Sequence, residues 1–207
     1  MFNNFLSKLF VKKIDNNSSN LQINKKKIFG FWIYILSDCI MFSTVFSVYF
    51  VMVNNISGGP SGKEFFNLNF VALETFILLL SSLFFSISID FLKKYNVFMV
   101  CLFLFLVFSC GIFFIFLEGY EFFHLFKKHY YPTRSGFLSS FYCLLFLHGF
   151  HVISGLIWIV LMIFQISLIG INKIINTRIL CLSIFWHFLD IIWIFVFTFV
   201  YLFGVIQ

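Results

Sequence analysis

The stretch ILCLSIFWHFLDIIWIFVFTFVYLF, from Ile179 to Phe203, decides the fold of this chain. An α-helix rises about 1.5 Å per residue, so about 20 apolar residues cross the roughly 30 Å of hydrocarbon in a membrane. The stretch therefore predicts a membrane-spanning helix. Its middle nevertheless contains His187 and Asp190, and an ionisable residue at that depth needs a partner or a function.

The composition of the whole chain indicates the same environment. Of its 207 residues, 61% are hydrophobic and 11% are charged, and the mean hydropathy is +1.02. A soluble domain is about half apolar and a quarter charged. The five cysteines occur singly and without a CxxC motif, so they predict neither a disulfide framework nor a zinc site. The sequence thus predicts an integral membrane protein.

Four further apolar stretches are long enough to span a membrane, which predicts an all-α fold, a bundle of five transmembrane helices. The residues before them, 1–27, are polar and rich in lysine, and they predict a disordered tail, so that 28–207 form one transmembrane domain. The predicted spans are residues 28–53, 70–92, 97–123, 137–169 and 179–203.

The distribution of lysine and arginine predicts the orientation. Five spans put the two termini on opposite sides of the membrane. The tail and the second and fourth connections together hold ten of the 14 basic residues, whereas the other two connections hold four. Because basic residues favour the cytoplasmic side, the N-terminus is predicted to be cytoplasmic and the C-terminus to be outside. The basic excess is therefore interpreted as topology, and no nucleic-acid partner is expected.

Polar side chains within the spans are the candidate site. Three pairs have i, i+3 spacing, which places both members on one helix face. A histidine of the fourth span facing an aspartate of the fifth would satisfy both groups in the hydrocarbon. Small residues at Ser43 and Ser47, Ser82 and Ser86, Gly149 and Gly155 would let helices approach closely, and Trp186 and Trp193 are predicted packing residues. The polar candidates are Asp38, Glu74, Glu118, Glu121, His148, His151, His187 and Asp190.

Three interpretations of these residues remain open at this point. A metal or haem site would use Glu121 and His124 in the Glu-x-x-His spacing of di-iron bundles, or His148, His151 and His187. A proton relay would use the carboxylates, and a small proton-conducting transporter would use the layer formed by Asp38, the histidines and Asp190. A polar layer that joins the helices needs no ligand at all. The sequence contains no phosphate-binding glycine loop, nucleophile elbow or H-E-x-x-H motif.

Several segments resemble subunit III of the haem–copper terminal oxidases. They include GGPSGKEFF, ETFILLLSS, HGFHVISG and WHFLDIIWIFVF. The resemblance is strongest to the third subunit of the cytochrome o (bo-type) ubiquinol oxidases, and it runs from about Lys27 to the C-terminus. It implies five spans and a multi-pass location in the bacterial inner membrane, with the C-terminus in the periplasm.

The resemblance also implies a supporting function. The chain would be an accessory, non-catalytic subunit that carries no cofactor, catalytic residue or metal, while the haems and copper belong to a large partner subunit. Its partners would be the other subunits of a proton-pumping quinol oxidase, and membrane lipids. Glu74 matches an intramembrane glutamate beside a lipid cleft. His148, His151, His187 and Asp190 match buried polar positions with a structural role.

Overall fold

The computed structural model describes residues 2–53, 55 and 68–206, with side chains from residue 26 to residue 204. Every long element in this part of the chain is a helix. The helices are α1 (Phe2–Met52), α2 (Leu68–Lys93), α3 (Val97–Lys127), α4 (Gly136–Ile169), α5 (Lys173–Val196) and the short α6 (Phe203–Ile206). A 3₁₀ turn, Pro132–Arg134, precedes α4, and a π-helical segment, Phe197–Leu202, connects α5 to α6.

Five of these helical stretches are long and apolar enough to cross a membrane, which confirms the predicted helical bundle. They are Lys26–Met52, Leu68–Lys93, Val97–Lys127, Gly136–Ile169 and Lys173–Leu202. The bounds agree with the predicted ones to within a few residues. The largest difference is at the fifth span, which begins at Lys173 and not at residue 179, because the helix continues through polar residues that an apolar pattern leaves out.

The chain divides into two compact units, Met1–Asp38 and Cys39–Gln207. In the first unit the described backbone is helical from Phe2 onwards. This helix includes the segment that the sequence predicted to be a disordered tail. The division into a cytoplasmic tail and one transmembrane domain stays a prediction, because helical backbone does not show which side of a membrane a segment occupies.

Local sequence explains how the helices of the second unit begin and end. Asn96 caps α3 by accepting a hydrogen bond from the backbone N–H of Met99 at 3.4 Å. Ser135 caps α4 in the same way at Leu138, at 3.1 Å. At the other end of α4, Gly170 has a φ of +74°, a conformation that glycine adopts without steric cost. These caps produce the short connections that hold the helices antiparallel.

The helices α2 to α5 form a closed bundle. Each packs against the next along the chain, and α5 also packs against α2. The last span is the most buried of the five, with 67% of its most apolar window inside the protein, compared with 22–33% for the others. The last span thus forms the centre of the bundle.

Candidate functional site

The two tryptophans of α5 attach it to α2. The indole N–H of Trp186 donates to the hydroxyl of Ser81 at 3.0 Å, and that of Trp193 donates to Thr75 at 3.1 Å. Both indoles are fully buried. We call these four residues the α2–α5 seam. The predicted packing role of Trp186 and Trp193 is therefore combined with a hydrogen bond, as buried indoles generally require.

Glycines on two other helices accommodate Trp186. A Cβ atom at Gly111 of α3 would lie 3.0 Å from Cη2 of the indole, and one at Gly155 of α4 would lie 3.2 Å from its Cζ3. The close approach predicted for Gly155 is what the structure shows. The serines predicted to serve the same purpose in α1 and α2 are exposed or half-exposed, and Ser81 and Ser88 are the buried serines of α2.

Three acidic side chains come together near the end of the bundle where α3 is followed by α4. Glu74 is completely buried, and its carboxyl lies within electrostatic range of those of Glu118 and Glu121. Tyr201 donates a hydrogen bond to Oε2 of Glu121 at 2.9 Å. We call these four residues the carboxyl cluster. In the described part of the chain, neither oxygen of Glu74 has a hydrogen-bond partner.

The π-helical segment positions the tyrosine of this cluster. Residues 197–202 leave the α-helical register at the end of α5, and Tyr201 is fully buried. A π-turn changes the direction of the side chains that follow it and often occurs at functional sites. Tyrosines near span ends are often interfacial anchors, but Tyr49 and Tyr201 are 1% and 0% exposed.

His148 lies between aromatic rings. Its ring centroid is 5.1 Å from that of Trp193 and 5.9 Å from that of Phe114, and the side chain is fully buried. Among the described residues neither ring nitrogen has a hydrogen-bond partner. The predicted pairing of this histidine with an aspartate of the last span is therefore not what the structure shows. His151, one turn later, instead approaches the backbone carbonyl of Leu147 with Nδ1, at 2.8 Å.

His187 and Asp190 form a pair within their own helix. Nδ1 of His187 lies 3.8 Å from Oδ2 of Asp190, which is an ion-pair distance but too long for a hydrogen bond. Asp190 is 5% exposed and has Ser82 of α2 as a further polar neighbour. Asp38 is also buried, at the end of the first unit, where Tyr34 one turn earlier interacts with it.

No three His, Cys, Asp or Glu side chains within the described residues lie close enough to hold one metal ion together. The residues proposed from sequence as a metal set are dispersed. Glu121 belongs to the carboxyl cluster and His124 is exposed. His148 lies among aromatic rings, His151 approaches the carbonyl of Leu147, and His187 pairs with Asp190. The arrangement favours hydrogen bonding and packing between helices over coordination of a single ion.

Comparison with known proteins gives this arrangement a family. The family model for cytochrome c oxidase subunit III matches residues 12–205, which include every residue of the seam and of the carboxyl cluster. The chain belongs to the cytochrome c oxidase subunit III family. The family predicted from sequence motifs is thereby confirmed, and the match extends fifteen residues further towards the N-terminus than the resemblance seen from Lys27 onwards.

Relatives in this family are similar over nearly their whole length. A Buchnera aphidicola (subsp. Baizongia pistaciae) protein is 51% identical over 94% of this chain and 97% of its own length. A Pseudomonas putida protein is 47% identical over 86% of each chain. Both are named cytochrome bo(3) ubiquinol oxidase subunit 3. A Bacillus subtilis protein named quinol oxidase subunit 3 is 34% identical over 88% of this chain and 90% of its own.

Proposed function

We propose that this chain is the third, accessory subunit of a proton-pumping ubiquinol oxidase in an aerobic respiratory chain. The observation that carries the proposal is the end-to-end similarity to relatives named as subunit 3 of such oxidases. The bundle supports it, because three hydrogen bonds between buried or half-buried side chains join its helical segments. In this function the chain contributes binding surface and stability to a partner, and the partner carries out the oxidation of quinol and the reduction of oxygen.

The proposal includes the division of labour within the complex. The large subunit holds the haems and copper, and this chain holds no cofactor and no catalytic residue. The scattered placement of the histidines and carboxylates supports this division. Glu74, Glu118, Glu121, His148, His151, His187, Asp190 and Asp38 then have structural roles, and membrane lipids surround the exposed apolar faces. The excess of lysine at the N-terminal end supports a cytoplasmic N-terminus and a periplasmic C-terminus in the bacterial inner membrane.

Purification of a tagged chain from its own membrane tests the proposal. We expect it to bring down haem-bearing partners in a fixed ratio, and the chain separated from them should show no Soret absorption and no stoichiometric iron. A Soret band on the isolated chain would contradict the proposal and favour a redox protein that binds haem or iron through His148, His151 or His187.

A second candidate function is proton conduction by the chain itself. The buried atoms of Glu74 and His148 that lack hydrogen-bond partners among the described residues favour it, because a proton path needs groups that can exchange protons. Vesicles that contain only this chain distinguish the two functions. An accessory subunit leaves the rate of proton flux at that of empty vesicles, whereas a transporter raises it and loses the effect in Glu74→Gln.

A further inference from the structure

A groove of about 210 Å³ lies between α3 and α4 on the outside of the bundle. The rings of Phe122, Phe146 and Phe150 line it, together with Ile153 one turn further along α4. Phe146 and Phe150 are 72% and 61% exposed. Because these residues belong to membrane-spanning helices, the groove opens sideways into hydrocarbon, and a ligand would enter it from the bilayer.

A buried carboxyl group reaches this apolar groove. Glu118 lines it while being only 3% exposed. Its two carboxyl oxygens lie 3.0 and 3.3 Å from the position that a Cβ atom would occupy at Gly149. Glycine at this position therefore leaves room for the carboxyl against the backbone of α4. Oε1 of Glu118 has no hydrogen-bond partner in the described part of the chain, and such a group is costly unless a donor completes it.

The position of Glu118 within the span Val97–Lys127 restricts which donors can reach it. It lies nine residues before Lys127, where α3 ends, which is about 13 Å along the helix axis. A phospholipid headgroup carries charged groups, and their charge favours the water interface. A neutral hydroxyl on a planar, apolar molecule does not meet this obstacle, and three phenylalanine rings favour a flat aromatic partner.

We propose that this groove binds the ring of a quinol, with one hydroxyl donating to Oε1 of Glu118 and the isoprenoid chain running past Ile153. The proposal rests on the proposed function, since it takes its ligand from the substrate class of a ubiquinol oxidase. The groove holds the quinol beside the complex and transfers no electron. Only the reduced ligand has hydroxyl hydrogens, so the site distinguishes quinol from quinone.

Equilibrium binding to the full chain in nanodiscs tests the proposal without any partner subunit. The probes are a radiolabelled short-chain ubiquinol, kept reduced under argon, and the matching ubiquinone. We expect the quinol to bind about tenfold more tightly than the quinone, because the hydrogen bond that the quinol hydroxyl donates to Oε1 of Glu118 is lost on oxidation. Glu118→Leu should remove this preference.

Two surface variants keep the test valid if Glu118→Leu does not fold. Ile153→Trp fills the groove from a position that is 45% exposed and should abolish quinol binding. Ile157→Trp adds the same bulk one turn away, at a residue that is 58% exposed and outside the groove, and should bind quinol normally. Equal binding of both ligands, tighter binding of the quinone, unchanged binding in Ile153→Trp, or displacement of the quinol by phospholipid alone would overturn the proposal.

The nanodisc measurement and the co-purification test of the proposed function can succeed or fail independently of each other. Co-purification with haem-bearing partners can succeed while the nanodisc measurement shows no quinol preference, in which case the chain is an accessory subunit without this site. If the nanodiscs show the preference but no partner co-purifies, the site stands and the proposed function fails.

Discussion

The α2–α5 seam and the carboxyl cluster share helix α2, yet among the described residues the polar groups of the seam are paired and several of those in the cluster are not. In the seam each indole N–H has a hydroxyl partner, at 3.0 and 3.1 Å. In the cluster one bond joins Tyr201 to Glu121, while the oxygens of Glu74 and Oε1 of Glu118 have no hydrogen-bond partner among the described residues. Both indole donors of the seam are therefore paired, whereas the cluster retains buried oxygens without a hydrogen-bond partner among the described residues.

The difference separates the residues that stabilise the bundle from the residues that are available to bind a ligand or partner. Helices in a membrane associate through close packing and a few hydrogen bonds, because lipid chains are as apolar as the side chains themselves. The seam supplies both at low cost, since its groups are neutral. Carboxyl groups in hydrocarbon are more costly than hydroxyls. The cluster must therefore be held by the rest of the fold, and Glu118 is available to a ligand or partner.

Removing the indole at the centre of the seam should have the largest effect. Trp186→Ala deletes a fully buried ring that touches α3 and α4 and bonds to α2. We expect the free energy of unfolding in mixed micelles to fall by about 3–5 kcal/mol. Phe195→Ala removes an aromatic ring that is 47% exposed on the same helix and should cost much less. Equal losses in the two variants would contradict the central position of Trp186.

A methyl group placed against the same indole should have the next largest effect. In Gly111→Ala the new Cβ would lie 3.0 Å from Trp186 and 2.6 Å from Cδ2 of Leu156. The leucine end can move, but the buried indole cannot, so overpacking should cost about 2 kcal/mol. The matched control is Gly119→Ala on the same helix, where nothing lies within 4 Å of the new atom. Combining Gly111→Ala with Trp186→Phe should recover part of the loss.

The His187–Asp190 pair should respond more weakly, because the side chain of His187 is 38% exposed. His187→Leu removes the one ionisable neighbour within 4 Å that the structure gives Asp190 in the described region, and a buried acid left without it should cost about 1 kcal/mol. We expect the yield of assembled oxidase to fall while the turnover of each assembled complex is kept. Normal assembly combined with abolished turnover would instead show that the pair takes part in the chemistry.

The sequence predicts the spans well because length and hydropathy alone decide whether a helix can cross a membrane. It predicts the contacts of the buried polar residues less well. All of the polar candidates except Glu121 and His187 are less than 9% exposed, but their partners were not foreseen. Ser81 was missed in favour of its neighbour Ser82, because a one-residue difference rotates the side chain by about 100° and periodicity in a uniformly apolar helix does not fix that angle.

The π-helical segment shows why the carboxyl cluster could not be predicted in full. Nothing in FTFVYL marks residues 197–202 as different from the α-helix before them. The segment packs against α2 and bonds to Glu121 through Tyr201, and both are contacts with distant parts of the chain. Glu74, Glu118 and Glu121 could be named from their charge within apolar runs, whereas Tyr201 resembles any tyrosine at the end of a span.

That tyrosine provides the smallest predicted effect and the sharpest test of the comparison. Tyr201→Phe removes only the hydroxyl that donates to Glu121. Hydrogen bonds between membrane helices contribute about 0.6 kcal/mol on average, so we expect a loss of that size in the free energy of unfolding. Glu121→Gln should weaken the same bond, and the double variant should be less destabilised than the sum of the two single variants. Additive losses would show that the bond does not join the π-helical segment to α3. A loss as large as that of Trp186→Ala would show that the cluster, like the seam, holds the bundle together.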